Sequence, residues 1–249
     1  LIGDQMQLSQ PMRAKHEGYA RMSSLDFILE DDDTISIDKG VFLNVTRRLN
    51  KKICNYISTS FYDSRLTSDP ITETRSVNLK LDPIKDEGLF YVPIDHNGCS
   101  QRSDEEADLV EKVFNKIVNK EYKSENITGK ISAKDIMVVA PYNAQANNIR
   151  ERLKKKFKDD VRVGTIDLFQ GQEAKVVLIS MTTSDVESLP RHKDFFFSRN
   201  RLNVAISRAE CVAIIIFNQN LLLASASNIK EMKLINSFCK LLTFKTNYK

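Results

Sequence analysis

The period of apolar and polar positions changes repeatedly along this chain of 249 residues. From Val41 onward, short continuous apolar runs are followed by stretches in which apolar residues recur every three to four positions. A short apolar run is typical of a strand buried on both faces, and the recurring pattern is typical of an amphipathic helix. Their alternation predicts an α/β fold with a mostly parallel sheet covered by helices on both faces.

These patterns place the expected elements. The expected strands are residues 1–4, 40–43, 75–81, 88–94, 135–141, 161–167, 175–181 and 211–217, and the expected helices are residues 49–62, 103–118, 143–157, 201–209 and 228–244. Ser103 and Glu106 have the spacing of a capping box, in which each side chain bonds the backbone N–H of the other residue. Residues 1–35 break the alternation and carry the acidic run EDDD, so we expect a domain boundary there.

Composition excludes several classes of protein. Apolar residues make up 41% and charged residues 28%, as in an ordinary globular protein, and a net charge of +4 is too small to indicate nucleic-acid binding by itself. No apolar run approaches the ~20 residues of a membrane span. The four cysteines lack CxxC pairing, which favours reduced thiols and a cytoplasmic location. His16, His96 and His192 are far apart, so no metal site is predicted.

Three arginines occur within one apolar helical pattern, FFFSRNRLNVAISRAE at residues 195–210. A guanidinium is permanently charged and costly to bury without an anionic partner. Arg199, Arg201 and Arg208 therefore each require an anion, which for an arginine on a helix is usually an acidic side chain nearby.

Further polar stretches adjoin the predicted strands: GDQMQL, NVTRRLN and DLFQGQE. Ligands of doubly wound sheets gather at the carboxyl ends of strands, so we expect these stretches and the arginine-rich helix there. Taken singly, Arg47 and Arg48 indicate a solvated helix start, and Gly171 indicates a tight turn with Glu173 on its exposed face.

Taken together, these stretches resemble the C-terminal half of superfamily 1 helicases. GDQMQL resembles motif III, VVAPYNAQ motif IV, VGTIDLFQGQE motif V and RNRLNVAISRA motif VI, and residues 42–66 are similar to the segment between motifs III and IV. The matching subgroup contains the nonsense-mediated-decay helicase and the Okazaki-fragment nuclease-helicase. The segments GDQMQLSQP and FSRNRLNVAISRA are most similar to those of bacterial proteins that fuse a RecB-like nuclease to such a helicase.

The resemblance implies a domain plan. Residues 36–249 would form the second RecA-like domain, a three-layer sandwich, and residues 1–35 the tail of the first RecA-like domain with a linker. ATP would bind between the two domains.

The resemblance also implies site residues. Arg48 and Arg208 would be the catalytic arginines at the phosphates, and Gln7 would sense the γ-phosphate. Arg47, Gly171 and Glu173 would contact the nucleotide, with Glu173 on the ribose. Arg47 stands where the family usually has an aromatic residue that stacks on adenine, and a guanidinium also stacks on a base.

The nucleic-acid track would be contacted by Thr165, Pro141 and Tyr142, again by resemblance. The implied parent is a DNA helicase that uses ATP and Mg²⁺ to move 5′ to 3′ on single-stranded DNA. An RNA helicase of the same superfamily, or a non-catalytic nucleic-acid-binding module, remains the alternative.

Two family features are missing from the sequence, the phosphate-binding loop and the magnesium-binding acid pair. The acidic stretch SDEEAD at residues 103–108 follows no apolar strand and is interpreted as a helix cap. A phosphate-binding loop reads GxxxxGK[ST], whereas Gly129-Lys130 is followed by Ile131 and preceded by Ser124 at the first glycine position. We therefore expect this chain to be inactive alone. The phosphate loop and the magnesium ligands would lie in a missing N-terminal RecA-like domain, with the RecB-like nuclease further upstream.

Overall fold

A computed structural model describes residues 1–8, 17–30, 32–81, 84–125, 127–184 and 193–240. Outside these ranges lie His16, His192, residues 9–11 of the stretch GDQMQLSQP and residues 241–244 of the last predicted helix.

A five-stranded parallel sheet forms the centre of the described molecule, with the order β4-β10-β9-β7-β8. The strands are β1 Val45–Thr46, β2 Thr67–Ser68, β3 Ser76–Val77, β4 Gly88–Pro93, β5 Glu121–Ser124, β6 Ile127–Lys130, β7 Ile136–Val139, β8 Arg162–Gly164, β9 Ala174–Ser180 and β10 Ala209–Phe217. Strands β1 and β2 form a separate parallel pair, and β3, β5 and β6 form an antiparallel sheet.

Helices cover both faces of the main sheet. The α-helices are α1 Ser24–Leu29, α2 Lys51–Phe61, α3 Asp104–Ile117, α4 Asn143–Phe157, α5 Lys193–Phe196, α6 Arg199–Ser207 and α7 Ile229–Cys239, and the 3-10 helices are Gly18–Arg21, Pro70–Thr74, Ala133–Asp135, Lys158–Asp160, Ile166–Phe169 and Gln219–Leu223. No helix in the described ranges has the length and apolar character that crossing a bilayer requires.

Two hydrophobic cores separate the layers. Helices α2 and α6 pack on one face through Ile53, Phe61 and Val204. Helices α3 and α4 pack on the opposite face through Phe114 and Ile149. The central strands are buried on both faces because helices cover both faces. Since side chains of a strand alternate between the faces, positions on either side are then apolar, which explains the continuous apolar runs. The expected three-layer, RecA-like α/β fold is therefore confirmed.

Three expected strands are absent or lie outside the main sheet, and the strand expected at residues 161–167 is shortened to β8 because a 3-10 helix begins at Ile166. Residues 1–4 have no regular structure, and Leu1 and Ile2 are exposed. Residues 40–43 do not form a strand either, because β4 occupies the position beside β10. Val41 and Leu43 are consequently exposed.

The third difference concerns residues 75–81. In this segment only β3 is a strand, and it pairs with β5 outside the main sheet. The hairpin of β5 and β6 carries the polar sequence EYKSENITGK, which has no apolar alternation and therefore gave no strand prediction.

The predicted capping box is half correct. The Ser103 hydroxyl accepts a hydrogen bond from the Glu106 backbone N–H at 3.0 Å, as expected of an N-cap. The Glu106 side chain is fully buried instead of returning to Ser103, whose N–H donates to Gln145 Oε1 at 2.9 Å.

Candidate functional site

The amino ends of β9 and β10 bring together three of the predicted site residues. Glu173 directly precedes β9, Arg208 directly precedes β10, and Arg48 lies just before α2. Arg48 Nε donates to Glu173 Oε2 at 2.7 Å, and its Nη1 lies 3.5 Å from the Ser207 carbonyl oxygen. The three residues therefore form one cluster, defined here as the arginine cluster.

The arginine cluster lies at the amino ends of strands of the main sheet, whereas the sequence predicted that its residues would lie at carboxyl ends. Helix α6 leads into β10 on the adjacent face, so its last residues meet the start of that strand. The 3-10 helix Ile166–Phe169 likewise carries the chain from the end of β8 back to the start of β9. Among the predicted site residues, only Thr165, Pro141 and Tyr142 follow carboxyl ends of strands in the main sheet, and Arg47 and Arg48 follow the short strand β1 outside it.

Arg208 is buried without an acidic partner. Its side chain donates to two backbone carbonyls, Val204 at 3.2 Å and Gln172 at 3.0 Å, and only 2% of the residue is exposed. Burial lowers the pKa of the guanidinium and the nearby charge of Arg48 lowers it further, while Glu173 opposes the shift. Within the described ranges no carboxylate forms an ion pair with Arg208, so its charge is incompletely compensated.

The other two arginines of this helix have internal partners. Arg199 Nη1 and Nη2 donate to the two oxygens of Asp33 at 3.1 and 2.8 Å. Arg201 makes the same two-pronged contact with Asp167 at 2.9 and 3.2 Å. Their anions are therefore carboxylates of this chain.

Arg47 and Gly171 flank the arginine cluster. The Arg47 side chain is 85% exposed and lies 3.4 Å from Asp69. Gly171 has φ +78°, which favours glycine, and its turn directly precedes Gln172, whose carbonyl accepts from Arg208. The predicted tight turn is thus present, and it helps to hold Arg208.

Gln7 belongs to a different polar network. Its amide donates to Asp4 Oδ2 at 2.8 Å, and its carbonyl accepts from Asn200 at 2.6 Å. None of its described contacts reaches Arg48 or Arg208.

Two residues outside the predicted set connect this network to the helices. The Tyr62 hydroxyl donates to Asp4 at 2.7 Å and accepts from Asn203 Nδ2 at 3.0 Å, and Asn203 also donates to the Met6 carbonyl at 2.8 Å. Burial raises the pKa of Tyr62, with Asp4 as a further cause. Asn203 is a polar residue in a buried helical stretch, which is the signal that could have identified it.

The residues predicted to contact nucleic acid lie at the opposite edge of the sheet. Pro141 and Tyr142 follow β7, and Thr165 follows β8. The Ala140 N–H donates to the Gly164 carbonyl at 3.0 Å, which ties the two strand ends together. Tyr142 is only 5% exposed and belongs to the core, whereas Pro141 and Thr165 are half-buried.

The fold and the retained motifs define a superfamily 1 helicase domain. The chain belongs to the AAA domain family, whose model matches residues 27–220.

Curated relatives extend this assignment. The chain is 30% identical over 232 residues to the DNA polymerase alpha-associated DNA helicase A of Schizosaccharomyces pombe. The aligned region covers 88% of this chain and 33% of that protein. It is 28% identical over 261 residues to an uncharacterised ATP-dependent helicase of Methanocaldococcus jannaschii, covering 96% of this chain and 34% of that protein. It is 36% identical over 100 residues to the human RNA helicase Mov10l1, covering 39% of this chain and 8% of that protein.

These matches bear on the length of the parent protein and on its expected bacterial origin. The chain spans about a third of the length of the first two relatives. All three relatives are eukaryotic or archaeal, so they do not support the expected bacterial origin.

Proposed function

We propose that this chain is the second RecA-like motor domain of an ATP-dependent DNA helicase that moves 5′ to 3′ on single-stranded DNA. Its role is to present Arg48 and Arg208 to the phosphates of ATP. The observation that carries this proposal is the burial of Arg208 without a carboxylate, beside two arginines of the same helix that each have one.

The chemistry of phosphoryl transfer explains why such an arginine is useful. Negative charge develops on the γ-phosphoryl oxygens during hydrolysis, and cations held in a water-poor cleft stabilise it. Arg208 is already desolvated and is fixed by the carbonyls of Val204 and Gln172. A phosphate would relieve the repulsion between Arg208 and Arg48. Glu173, released from Arg48 or shared with it, would accept a hydrogen bond from the ribose.

The remaining nucleotide contacts follow from the same arrangement. The exposed Arg47 guanidinium would stack on the base. Gly171 would keep the turn before β9 in the form that holds Arg208 near the phosphates.

Magnesium would be held outside this chain. The carboxylate of the arginine cluster, Glu173, is already engaged by Arg48, so it is a poor ligand for the ion. We propose that an upstream RecA-like domain supplies the phosphate loop and the magnesium ligands, with residues 1–35 as its tail and linker, and that the isolated chain is inactive as an ATPase. The threefold greater length of the relatives agrees with this plan. A RecB-like nuclease further upstream remains a separate proposal.

Coupling to nucleic acid would use the opposite edge of the sheet. Thr165 and Pro141, with the backbone near Tyr142, would contact the sugar-phosphate backbone of the single strand. Gln7 would sense the γ-phosphate and pass the change to α6 through Asn200, to which it is hydrogen-bonded.

The decisive experiment measures steady-state ATP turnover in the longer helicase that contains this domain. Arg208→Ala should lower turnover by on the order of 10³-fold, the scale of arginine fingers. Arg201→Ala is the matched control, since its charge is engaged by Asp167, and it should retain turnover within a few-fold. Near-normal turnover of Arg208→Ala would show that the arginine has only a structural role.

An RNA helicase is the second candidate, because the similarity to the RNA helicase Mov10l1 covers part of the same domain. Stimulation of the same ATPase by single-stranded DNA and by RNA of equal length separates the two. Greater stimulation by RNA would replace DNA as the proposed substrate.

A further inference from the structure

A buried polar cluster lies at the carboxyl edge of the sheet, away from the arginine cluster. Its centre is Glu106 in the first turn of α3, which is fully buried. One carboxylate oxygen accepts from the Ser180 hydroxyl at 2.5 Å and from the Thr182 N–H at 2.8 Å. The other lies 3.1 Å from Nε2 of His96, whose side chain is also fully buried. Glu106 therefore fixes the orientation of the His96 ring.

This arrangement leaves one ring nitrogen of His96 unused. Its Nδ1 is buried and has no hydrogen-bond partner in the described part of the chain. Buried polar atoms are almost always satisfied, so an unpaired imidazole nitrogen requires an explanation. A neutral imidazole that donates from Nε2 to a carboxylate has a free lone pair on Nδ1, which is the form that binds metals.

Two further ligand groups lie beside His96. One ligand atom from each of His96, Cys99 and Glu105 lies within 4.8 Å of the other two, and Cys99 Sγ is 3.8 Å from Glu105 Oε2. Cys99 is half-buried and Glu105 is exposed, so an ion could enter from solvent.

The loop that carries these residues is held on both sides. The Cys99 N–H donates to the Ser184 hydroxyl at 2.8 Å, and the Ser184 N–H donates to the Cys99 carbonyl at 2.9 Å. Asn218 Nδ2 donates to the His96 carbonyl at 2.6 Å. These bonds hold the backbone of His96 and Cys99 against the segments that follow β9 and β10.

We propose that His96, Cys99 and Glu105 bind a divalent metal ion of the zinc type. An imidazole nitrogen, a thiolate and a carboxylate are ligands that zinc takes in proteins, and water would complete four-coordination. Glu106 would act as the carboxylate that orients a metal-binding histidine. The ion would join the loop before α3 to the first turn of that helix.

This site is separate from the nucleotide. It adjoins Ser180, whereas the arginine cluster adjoins Ala174 at the other end of β9. The two residues are six steps apart along the strand, which is about 20 Å. The ion proposed here is therefore distinct from the magnesium of ATP hydrolysis.

Metal titration of the purified, metal-free chain tests the proposal. Zn²⁺ should bind with one-to-one stoichiometry in calorimetry, and Co²⁺ should give the charge-transfer absorption of a cobalt–thiolate bond. Cys99→Ser should abolish that absorption, and Glu106→Gln should weaken Zn²⁺ binding by ~10–100-fold, as loss of an orienting carboxylate does. Cys239→Ser, a half-buried cysteine in α7, is the matched control and should bind like the parent chain.

Two results would overturn the proposal. One is Zn²⁺ binding that is equal in the parent chain and in Cys99→Ser, and the other is the absence of a cobalt–thiolate band in the parent chain. Circular dichroism of each metal-free variant checks folding. Should Cys99→Ser unfold, Glu105→Gln replaces it, because that side chain is exposed and its loss should weaken Zn²⁺ binding without disturbing the core.

Discussion

The arginines of this chain differ in the groups that balance their positive charge. Arg199 and Arg201 each meet both oxygens of one aspartate, and such two-pronged contacts are the strongest that a guanidinium makes. Arg208 meets only neutral carbonyls and lies near a second cation, Arg48. Burying that charge beside a second cation carries a desolvation cost, which supports the proposal that its anion arrives from outside.

Arg48 permits a test that separates catalysis from stability. Its ion pair with Glu173 is partly exposed, with 32% and 53% of the two side chains accessible, and such pairs are worth ~0.2–1 kcal/mol. Arg48→Ala should therefore lower the free energy of unfolding of the chain by less than ~1 kcal/mol in urea denaturation. In the longer helicase proposed above, the same change should lower ATP turnover by on the order of 10³-fold.

The control for this test is Arg47→Ala, at the neighbouring exposed arginine. It should leave the unfolding free energy unchanged and affect nucleotide affinity more than turnover. A large loss of stability in Arg48→Ala with normal turnover would assign the residue to folding instead.

At this scale, sequence patterns identified which arginines need anions but not which anion each receives. Asp33 lies in the acidic run that was interpreted as a domain boundary, and it is 166 residues from Arg199. Contacts between such distant positions depend on the tertiary fold. Glu106 illustrates the same limit, because its spacing from Ser103 fits a capping box while its burial depends on His96 and Ser180.

Among the elements, α2 depends on one residue at its start. Asn50 Oδ1 accepts from the Ile53 N–H at 3.0 Å, which caps the helix, and its amide donates to the Cys211 carbonyl in β10. Its own N–H donates to the Glu210 carbonyl at 3.2 Å. Asn50 thereby holds the helix that follows Arg48 against the strand that follows Arg208.

Asn50→Ala should lower the free energy of unfolding by ~2–4 kcal/mol. The loss of the cap contributes ~1 kcal/mol, and the Cys211 carbonyl left unpaired in the core contributes ~1–3 kcal/mol. Denaturant unfolding monitored by circular dichroism measures the change. Asn228→Ala is the control, because Asn228 caps α7 through the Glu231 N–H at 2.9 Å but is exposed, so its loss should cost ~1 kcal/mol or less. Equal losses in the two variants would contradict the role of the strand contact.

Long periodic elements could be predicted from the sequence, and short ones could not. Helices α2, α3 and α4 and the central strands follow the apolar periods closely because their burial is extensive. The run at residues 40–43 is as apolar as a strand but has no place in the sheet. The hairpin of β5 and β6 is polar because it packs at the margin, so its pairing leaves no periodic signal.

In the whole molecule, the two proposed functions lie at opposite ends of the parallel strands. The arginine cluster lies at the amino ends of β9 and β10, and the residues assigned to nucleic acid lie at the carboxyl ends of β7 and β8. Both groups of residues were proposed from the motif resemblance. Whether each group lies at the amino or the carboxyl ends of the strands could not be predicted. That position depends on the direction in which α6 and the loop after β8 cross the sheet.

Binding of single strands by the isolated chain follows from this division. With the track of only one domain present, we expect weak binding driven by the phosphate backbone. The logarithm of the affinity should then fall with the logarithm of salt concentration, with a slope of about −0.7 for each phosphate neutralised. Fluorescence anisotropy with labelled DNA and RNA of equal length, at several salt concentrations, measures affinity and slope together.

A substitution at Thr165 sharpens the measurement. Thr165→Val preserves the shape of the side chain at the end of β8 but removes its hydroxyl, so affinity for both nucleic acids should fall by a few-fold. The salt slope should not change, since threonine carries no charge and releases no counterions. Tight binding that is insensitive to salt would indicate recognition of bases, and it would favour the non-catalytic binding module over a motor that moves along any sequence.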